Sequence, residues 1–137
     1  MVRIRQIKEQ QDVALEHRDI FDSIAASRGR VGGPFSVLLN SPEVAGRAAH
    51  LGAYLRFEST LPDADKELAI ITAAREFDCD YEWGAHAVLA QKSGVRNEAI
   101  SIVANKGDIA GLNESEALIV SYGREILVDH RVSKATY

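Results

Sequence analysis

The chain has 137 residues, 46% of them hydrophobic and 26% charged, which predicts a single globular domain over residues 1–137. Its 16 basic and 20 acidic residues give a net charge of −4, and no basic cluster is present, so we expect no nucleic-acid partner. The single cysteine excludes a disulfide within the chain. No apolar stretch reaches the roughly 20 residues of a membrane-spanning helix, and the first residues do not resemble a signal peptide. We therefore expect a cytoplasmic protein with no membrane partner.

Helix-forming residues dominate the first part of the chain. Residues 8–27 carry an apolar stripe at three- and four-residue steps, so residues 1–28 are predicted to hold an N-terminal helix. Three glycines between positions 29 and 33 then predict a loop. The sequence Ser41-Pro42-Glu43 predicts the start of the next helix, because it supplies an N-cap serine, a first-turn proline and an acidic residue near the helix N-terminus.

The remaining sequence also predicts helices. A break is expected around Asp78, because aspartate is a good N-cap residue and a poor residue inside a helix. Asn113 and Glu116 have the spacing of a capping box. Residues 131–137 predict a loop in which a further helix begins. The predicted helices after the first lie at about 41–57, 61–77, 79–92, 96–105 and 113–127. No alternating strand pattern is present, so the predicted fold class is all-α.

The candidate chemistry lies between Glu67 and His86. Glu67 precedes Ile70, Ile71 and Ala74 by three, four and seven positions, so it lies on the apolar stripe of its own predicted helix. A carboxylate in that position is buried or lines a cavity, and either case requires a partner.

Three polar side chains on the following predicted helix supply possible partners. Cys79, Glu82 and His86 stand at positions i, i+3 and i+7, which places them on one helix face. Glu82 and His86 have the spacing of a hydrogen-bonded pair. If the two helices pack antiparallel, Glu67 approaches the same face.

Three kinds of site use such residues. A metal site is disfavoured, because one histidine with Glu67 and Glu82 is a thin ligand set for zinc or iron. A thiol nucleophile at Cys79 is favoured by a helix N-terminus but disfavoured by the acidic residues around it. General acid–base chemistry by His86, oriented by Glu82 or Glu67, requires no metal and no cofactor.

Purely structural interpretations stand beside these. A lone cysteine at a helix start is often only packed, and a histidine four residues after a glutamate is often a surface pair. The other three histidines, at positions 17, 50 and 130, have no cluster of polar residues around them and are predicted to be structural or exposed. Tyr81 and Trp83 are expected to face the core or a subunit interface.

The spacing of the candidate residues resembles that of a known family. Glu67, Cys79, position 82 and His86 reproduce the Glu…Cys-x-x-Cys…His layout of the alkylhydroperoxidase D branch of the carboxymuconolactone decarboxylase superfamily. The segment from Cys79 to His86, Cys-Asp-Tyr-Glu-Trp-Gly-Ala-His, is similar to the decarboxylase-like members. Pro34-Phe35 and the Asn40-Ser41-Pro42 helix start also resemble that group, and the resemblance covers about residues 30–130.

The resemblance implies an all-α, alkylhydroperoxidase D-like bundle in which an antiparallel helical hairpin carries the site. It also implies a homo-oligomer, trimer or hexamer, with sites near subunit contacts. Two activities are known in the family: decarboxylation of 4-carboxymuconolactone in aromatic-acid catabolism, and thiol-dependent hydroperoxide reduction through a Cys-x-x-Cys pair. Position 82 is glutamate here, so Cys79 lacks its partner and the two-cysteine peroxidase is excluded.

The resemblance therefore implies an acid–base decarboxylase acting on a small lactone-type carboxylate in aromatic catabolism. His86 is its predicted proton donor, with Glu82 and Glu67 as supporting residues. An anionic substrate in an acidic site requires a basic residue, and Arg75 or a residue from another subunit is expected to supply it. Substrate contacts are also expected from Tyr81 and Trp83. Two alternatives stay open: a one-cysteine, thiol-dependent peroxidase built on Cys79 and His86, and a non-catalytic oligomeric binding module.

Overall fold

The computed structural model of the chain describes residues 3–137, and these residues form helices and turns with no strand, which confirms the all-α prediction. The α-helices of this part of the chain are α1 Arg18–Arg28, α2 Pro34–Leu38, α3 Pro42–Ala53, α4 Asp63–Glu76, α5 Asp80–Lys92, α6 Asn97–Ala104 and α7 Glu114–Val128. Short 3₁₀ turns lie at Gln10–Asp12, Leu15–His17 and Ile109–Gly111, and a π-helical turn over Tyr54–Glu58 continues α3. Over residues 3–137 no helix has the length and apolar character needed to cross a membrane.

The chain divides after Ser59 into two compact units, each with its own core. The sequence predicts a single domain over residues 1–137, and this remains a prediction. In the first unit, α1 and α3 pack together around buried apolar side chains that include Phe21, Ile24 and Ala45.

The N-terminal helix is shorter than predicted. Val13 belongs to the core of the first unit, but its backbone is extended, with φ −101° and ψ 140°. It therefore reaches the core from a loop and not from a helical stripe. As a result α1 begins at Arg18, ten residues later than predicted, and Met1 and Val2 lie outside the described residues.

The second unit is organised around the hairpin of α4 and α5. Arg75 near the end of α4 approaches Asp80 at the start of α5, whereas Glu67 near the start of α4 approaches His86 further along α5. The two helices are therefore antiparallel, as the resemblance implied. Buried Leu68 and Ile71 of α4 and Ala90 of α5 belong to the core that holds them together.

The turn between α4 and α5 differs by one residue from the prediction. Asp78 ends α4 in the left-handed region, with φ 50°, and the N–H of Cys79 donates to the carbonyl of Ala74 at 2.8 Å. This backbone pattern is a Schellman C-cap. The predicted break at Asp78 is confirmed, but Cys79 and not Asp78 is the N-cap of α5.

Helix α7 packs closely against α4 where Gly123 meets Thr72. A Cβ added to Gly123 would lie 2.9 Å from the Thr72 methyl carbon. Thr72 is fully buried, and its hydroxyl donates to the carbonyl of Leu68 at 2.8 Å, so its side chain is fixed. The close contact therefore requires glycine at position 123.

We expect Gly123→Ala to lower the free energy of unfolding by about 1–2 kcal/mol, because the steric clash outweighs the better helix propensity of alanine. Urea denaturation measures the change. Gly84→Ala in α5 is the matched control, since no atom lies within 4 Å of the added Cβ, and this variant should be slightly more stable than the wild type. Adding Thr72→Ser should restore part of the loss at Gly123. Unchanged stability of Gly123→Ala would contradict the steric argument.

The two ends of α7 are fixed by side chains. The predicted capping box is present, with the Asn113 side chain accepting from the N–H of Glu116 and the Glu116 side chain accepting from the N–H of Asn113. At the other end, Glu125 accepts hydrogen bonds from the N–H of Ser133 and the hydroxyl of Thr136. These bonds lower the pKa of the Glu125 carboxyl. Residues 131–137 form a loop and one turn held against α7, not the start of a further helix.

Candidate active site

Glu67 and His86 form a close, partly buried pair across the hairpin. The Glu67 Oε2 atom lies 2.7 Å from the Nδ1 atom of His86. Their side chains are only 14% and 13% exposed. A buried carboxylate on an apolar stripe needs a partner, and the antiparallel hairpin supplies one from the opposite helix. A short contact of this kind fixes the orientation of the imidazole ring.

Glu82 lies on the other side of the same ring. Its Oε2 atom is 3.4 Å from the Nε2 atom of His86, one turn along α5, and its side chain is 39% exposed. The two carboxylates are therefore unequal. Glu67 is close and mostly shielded, whereas Glu82 is more distant and reaches solvent, so Nε2 is the ring nitrogen beside the more exposed carboxylate.

Each ring nitrogen of His86 therefore lies beside a carboxylate. A neutral imidazole carries one N–H and can donate to only one of the two carboxylates, whereas an imidazolium donates to both.

Cys79 takes no part in this set of contacts. It is partly exposed at the N-cap of α5, and its carbonyl accepts from the N–H of Trp83 at 3.0 Å. Over residues 3–137, the hydrogen bonds and ion pairs of the His86 ring go to Glu67 and Glu82, with none to the Cys79 sulfur. The structure thus brings together three of the four predicted catalytic residues and leaves the cysteine apart.

Arg75, Trp83 and Tyr81 were predicted to contact substrate. The Arg75 guanidinium lies over the Trp83 ring, 5.7 Å from its centroid. Trp83 is partly buried against the core of the second unit. Tyr81 is 64% exposed, so it does not face the core, and its expected place at a subunit interface stays a prediction.

Asp80 is not among the predicted site residues, yet it approaches Arg75. The Asp80 Oδ1 atom lies 3.8 Å from Nη1 of Arg75, although the two residues belong to different helices. Their proximity arises from the tight turn at Asp78 and Cys79. A pairing across a turn of this kind has no helical spacing that could have revealed it.

The residues of the site do not converge on a point where a metal ion could bind. Glu67 and Glu82 lie against different ring nitrogens of His86, whereas a metal ion takes only one of them. Within residues 3–137 no group of three or more histidine, cysteine, aspartate or glutamate side chains is arranged to hold a metal ion.

Comparison with known proteins identifies the family. The model of the carboxymuconolactone decarboxylase family matches residues 42–120, which is more than half of the chain and includes the whole α4–α5 hairpin. Neither the curated proteins nor the solved structures gave a match. On the strength of the family match, the chain belongs to the carboxymuconolactone decarboxylase family.

Proposed function

We propose that this protein is an enzyme that decarboxylates a small lactone-type carboxylate by acid–base chemistry, with His86 as the proton donor. The observation that carries the proposal is the imidazole held between the partly buried Glu67 and the more exposed Glu82. A ring held in one orientation between two carboxylates can pass a proton from Nε2 to a substrate. Membership of the carboxymuconolactone decarboxylase family supports the proposal that the protein is an enzyme.

The proposed reaction has two parts. The bond between the substrate carbon and its carboxylate breaks, CO₂ leaves, and the electron pair moves into the ring to give an enolate with its negative charge on the lactone carbonyl oxygen. The N–H at Nε2 of His86 stabilises that oxygen and then gives its proton to the carbanionic carbon. One carboxylate and one proton are converted into CO₂ and a new C–H bond, and solvent returns the proton to His86.

The two glutamates have different roles in this proposal. Glu67 holds Nδ1–H, keeps the ring in one orientation and compensates the charge of the imidazolium. Glu82 covers Nε2 when substrate is absent and moves aside when it binds, which its exposure allows. Both are positioning residues, since neither has to touch the reacting carbon.

Two other functions are less well supported. A one-cysteine peroxidase requires a thiolate at Cys79, but the contacts of His86 go to carboxylates, and Asp78 and Asp80 flank the cysteine in sequence. A binding module without catalysis gains little from a partly buried pair of ionisable groups such as Glu67 and His86.

A homo-oligomer, trimer or hexamer, remains part of the proposal. The α7 helix has exposed apolar side chains at Leu118, Tyr122 and Ile126, which lie on one face at four-residue steps. Such a face is typical of a surface that a second copy of the chain covers.

The proposal is tested by incubating the wild type and Cys79→Ser with 4-carboxymuconolactone and measuring CO₂ release. A second assay of each protein follows consumption of an organic hydroperoxide in the presence of a dithiol. We expect decarboxylation by both proteins, with one deuterium on carbon in the product formed in D₂O, and no hydroperoxide consumption. Hydroperoxide turnover that Cys79→Ser abolishes would replace the proposal with the one-cysteine peroxidase. Absence of CO₂ release from this lactone and from related lactone carboxylates would overturn the decarboxylase.

A further inference from the structure

We infer that Arg28 and Arg56 together bind a phosphate group. Both residues belong to the first compact unit, so the site is made without any residue of the α4–α5 hairpin. The inference is independent of the proposed decarboxylation and can be measured without turnover.

Arg28 is held against α3 by three contacts. It is the last residue of α1, and its Nη2 atom donates to the carbonyl of Ala49 at 3.2 Å. Its guanidinium carbon lies 4.2 Å from the centroid of the Phe35 ring. A Cβ added to Gly52 would lie 3.2 Å from Nη2, so the guanidinium rests on the backbone of α3 there. A cation that is positioned in advance in this way loses less side-chain entropy when it binds a ligand.

Arg56 brings a second positive charge to the same place. The π-helical turn over Tyr54–Glu58 continues α3, and Arg56 follows Gly52 by four positions, so the two residues lie on one side of the helix about one turn apart. Burial lowers the pKa of Arg28, and the charge of Arg56 lowers this pKa further. The two guanidinium groups therefore repel each other, and an anion bound by both would remove this repulsion.

No carboxylate of the described part of the chain compensates the charge of Arg28. Over residues 3–137 its hydrogen bonds go to the Ser27 hydroxyl and the Ala49 carbonyl, and it forms no ion pair. A guanidinium has five N–H donors, so these two bonds leave donors for a ligand. Residues 23–33 contain two arginines and no acidic residue, and residues 51–59 contain Arg56 and Glu58. These segments are therefore positive in a chain whose net charge is −4.

A phosphate group suits two arginines better than a carboxylate does. The two oxygens of a carboxylate are both taken up by one guanidinium, whereas a phosphate monoester has three strong acceptor oxygens and a charge of about −1.5 to −2. It can therefore accept hydrogen bonds from both arginines and offset both charges. The Phe57 ring is exposed, with its centroid 5.7 Å from the Arg56 guanidinium, and an organic group attached to the phosphate can contact it.

A purely structural role for Arg28 is the competing explanation. A cation at the C-terminus of α1 interacts favourably with the helix dipole, and the bond to Ala49 joins α1 to α3. That role does not require Arg56. Variants of Arg56 therefore separate a binding site from a structural contact.

The test is isothermal titration calorimetry of the full chain with inorganic phosphate and, separately, with phenyl phosphate, at about pH 7.5, where most of each ligand is doubly charged. We expect saturable binding, with a Kd at least about tenfold weaker in Arg56→Gln. Arg28→Lys should be intermediate, since it keeps the charge and loses the paired N–H groups. Tighter binding of phenyl phosphate would assign the site to an organic phosphate, and equal or weaker binding would assign it to the free ion.

Two further variants separate the site from general charge effects. Arg47→Gln removes a positive charge from α3, but Arg47 is 84% exposed and paired with Glu43, so phosphate binding should stay unchanged. Gly52→Ala keeps every charge and displaces the Arg28 guanidinium, so it should weaken phosphate binding by about a few fold. Far-UV circular dichroism checks that each variant is folded. No saturable binding of either ligand, or an equal Kd for the wild type, Arg56→Gln and Arg47→Gln, would overturn the inference.

Discussion

Replacement of His86 by glutamine is expected to lower kcat for lactone decarboxylation by about 10²–10⁴-fold, the usual contribution of a positioned general acid. Glutamine occupies similar space and can still donate a hydrogen bond, but it cannot transfer a proton. The loss should therefore appear in kcat, with KM changed much less. Steady-state CO₂ release measures both constants.

The two glutamates beside His86 provide an internal comparison. Glu67→Gln removes a partly buried charge 2.7 Å from Nδ1 and is expected to lower kcat by about 10–100-fold. Glu82→Gln changes a partly exposed contact of 3.4 Å, so we expect a change of about fivefold or less. A larger effect at Glu82 than at Glu67 would reverse the roles assigned to the two residues. Activity of His86→Gln within a few fold of the wild type would exclude His86 as the proton donor.

Local sequence signals predicted those parts of the fold that depend on neighbouring residues. The capping box of Asn113 and Glu116 was recognisable because its two hydrogen bonds join residues three positions apart. The position of Glu67 on an apolar stripe predicted that it needs a partner, and the pairing with His86 followed from an antiparallel hairpin. Helical periodicity carries this information because it repeats within one element.

Other features depend on how separate segments meet, and the sequence does not encode them locally. Val13 has the spacing of a helical stripe, yet it enters the core from an extended segment, because tertiary packing outweighs helix propensity there. Lys106 adopts a φ of 50° although Gly107 follows it and would adopt that conformation more easily. Arg75 was predicted to contact substrate, but its stacking on Trp83 depends on the turn between α4 and α5, so the sequence carries no local signal for that contact.

Replacement of Glu116 by alanine is expected to have the largest effect on stability, about 2–4 kcal/mol in the free energy of unfolding. Its carboxylate accepts hydrogen bonds from Nε and Nη2 of Arg96 at 3.0 and 2.5 Å, and also from the N–H of Asn113 at 3.0 Å. Arg96 in turn donates to the carbonyl of Gly111 at 3.1 Å. Glu116 therefore connects the starts of α6 and α7 through one buried carboxylate.

The matched control is Glu98→Ala. Glu98 accepts from the same Arg96 at 2.9 Å, but its side chain is 61% exposed, so solvent screens the interaction and we expect a change below about 1 kcal/mol. Urea denaturation of both variants gives the comparison. Equal losses would mean that the burial of Glu116 and its cap at Asn113 contribute nothing beyond a surface ion pair.

The same carboxylate makes stability depend on pH. The hydrogen bond from Arg96 lowers the pKa of Glu116 below its ordinary value, and the bond from the Asn113 N–H acts in the same direction. A carboxyl whose pKa is lower in the folded state stabilises the fold above its unfolded pKa, about 4.3, and this stabilisation disappears as the pH falls through the folded value. Glu116→Gln should therefore flatten the fall in stability below about pH 4.3.

Glu125 is expected to cause the part of this fall that remains in Glu116→Gln, because the N–H of Ser133 lowers its pKa. Adding Glu125→Gln should remove that part. If the free energy of unfolding falls as steeply with decreasing pH in the double variant as in the wild type, neither carboxyl governs the loss of stability at low pH.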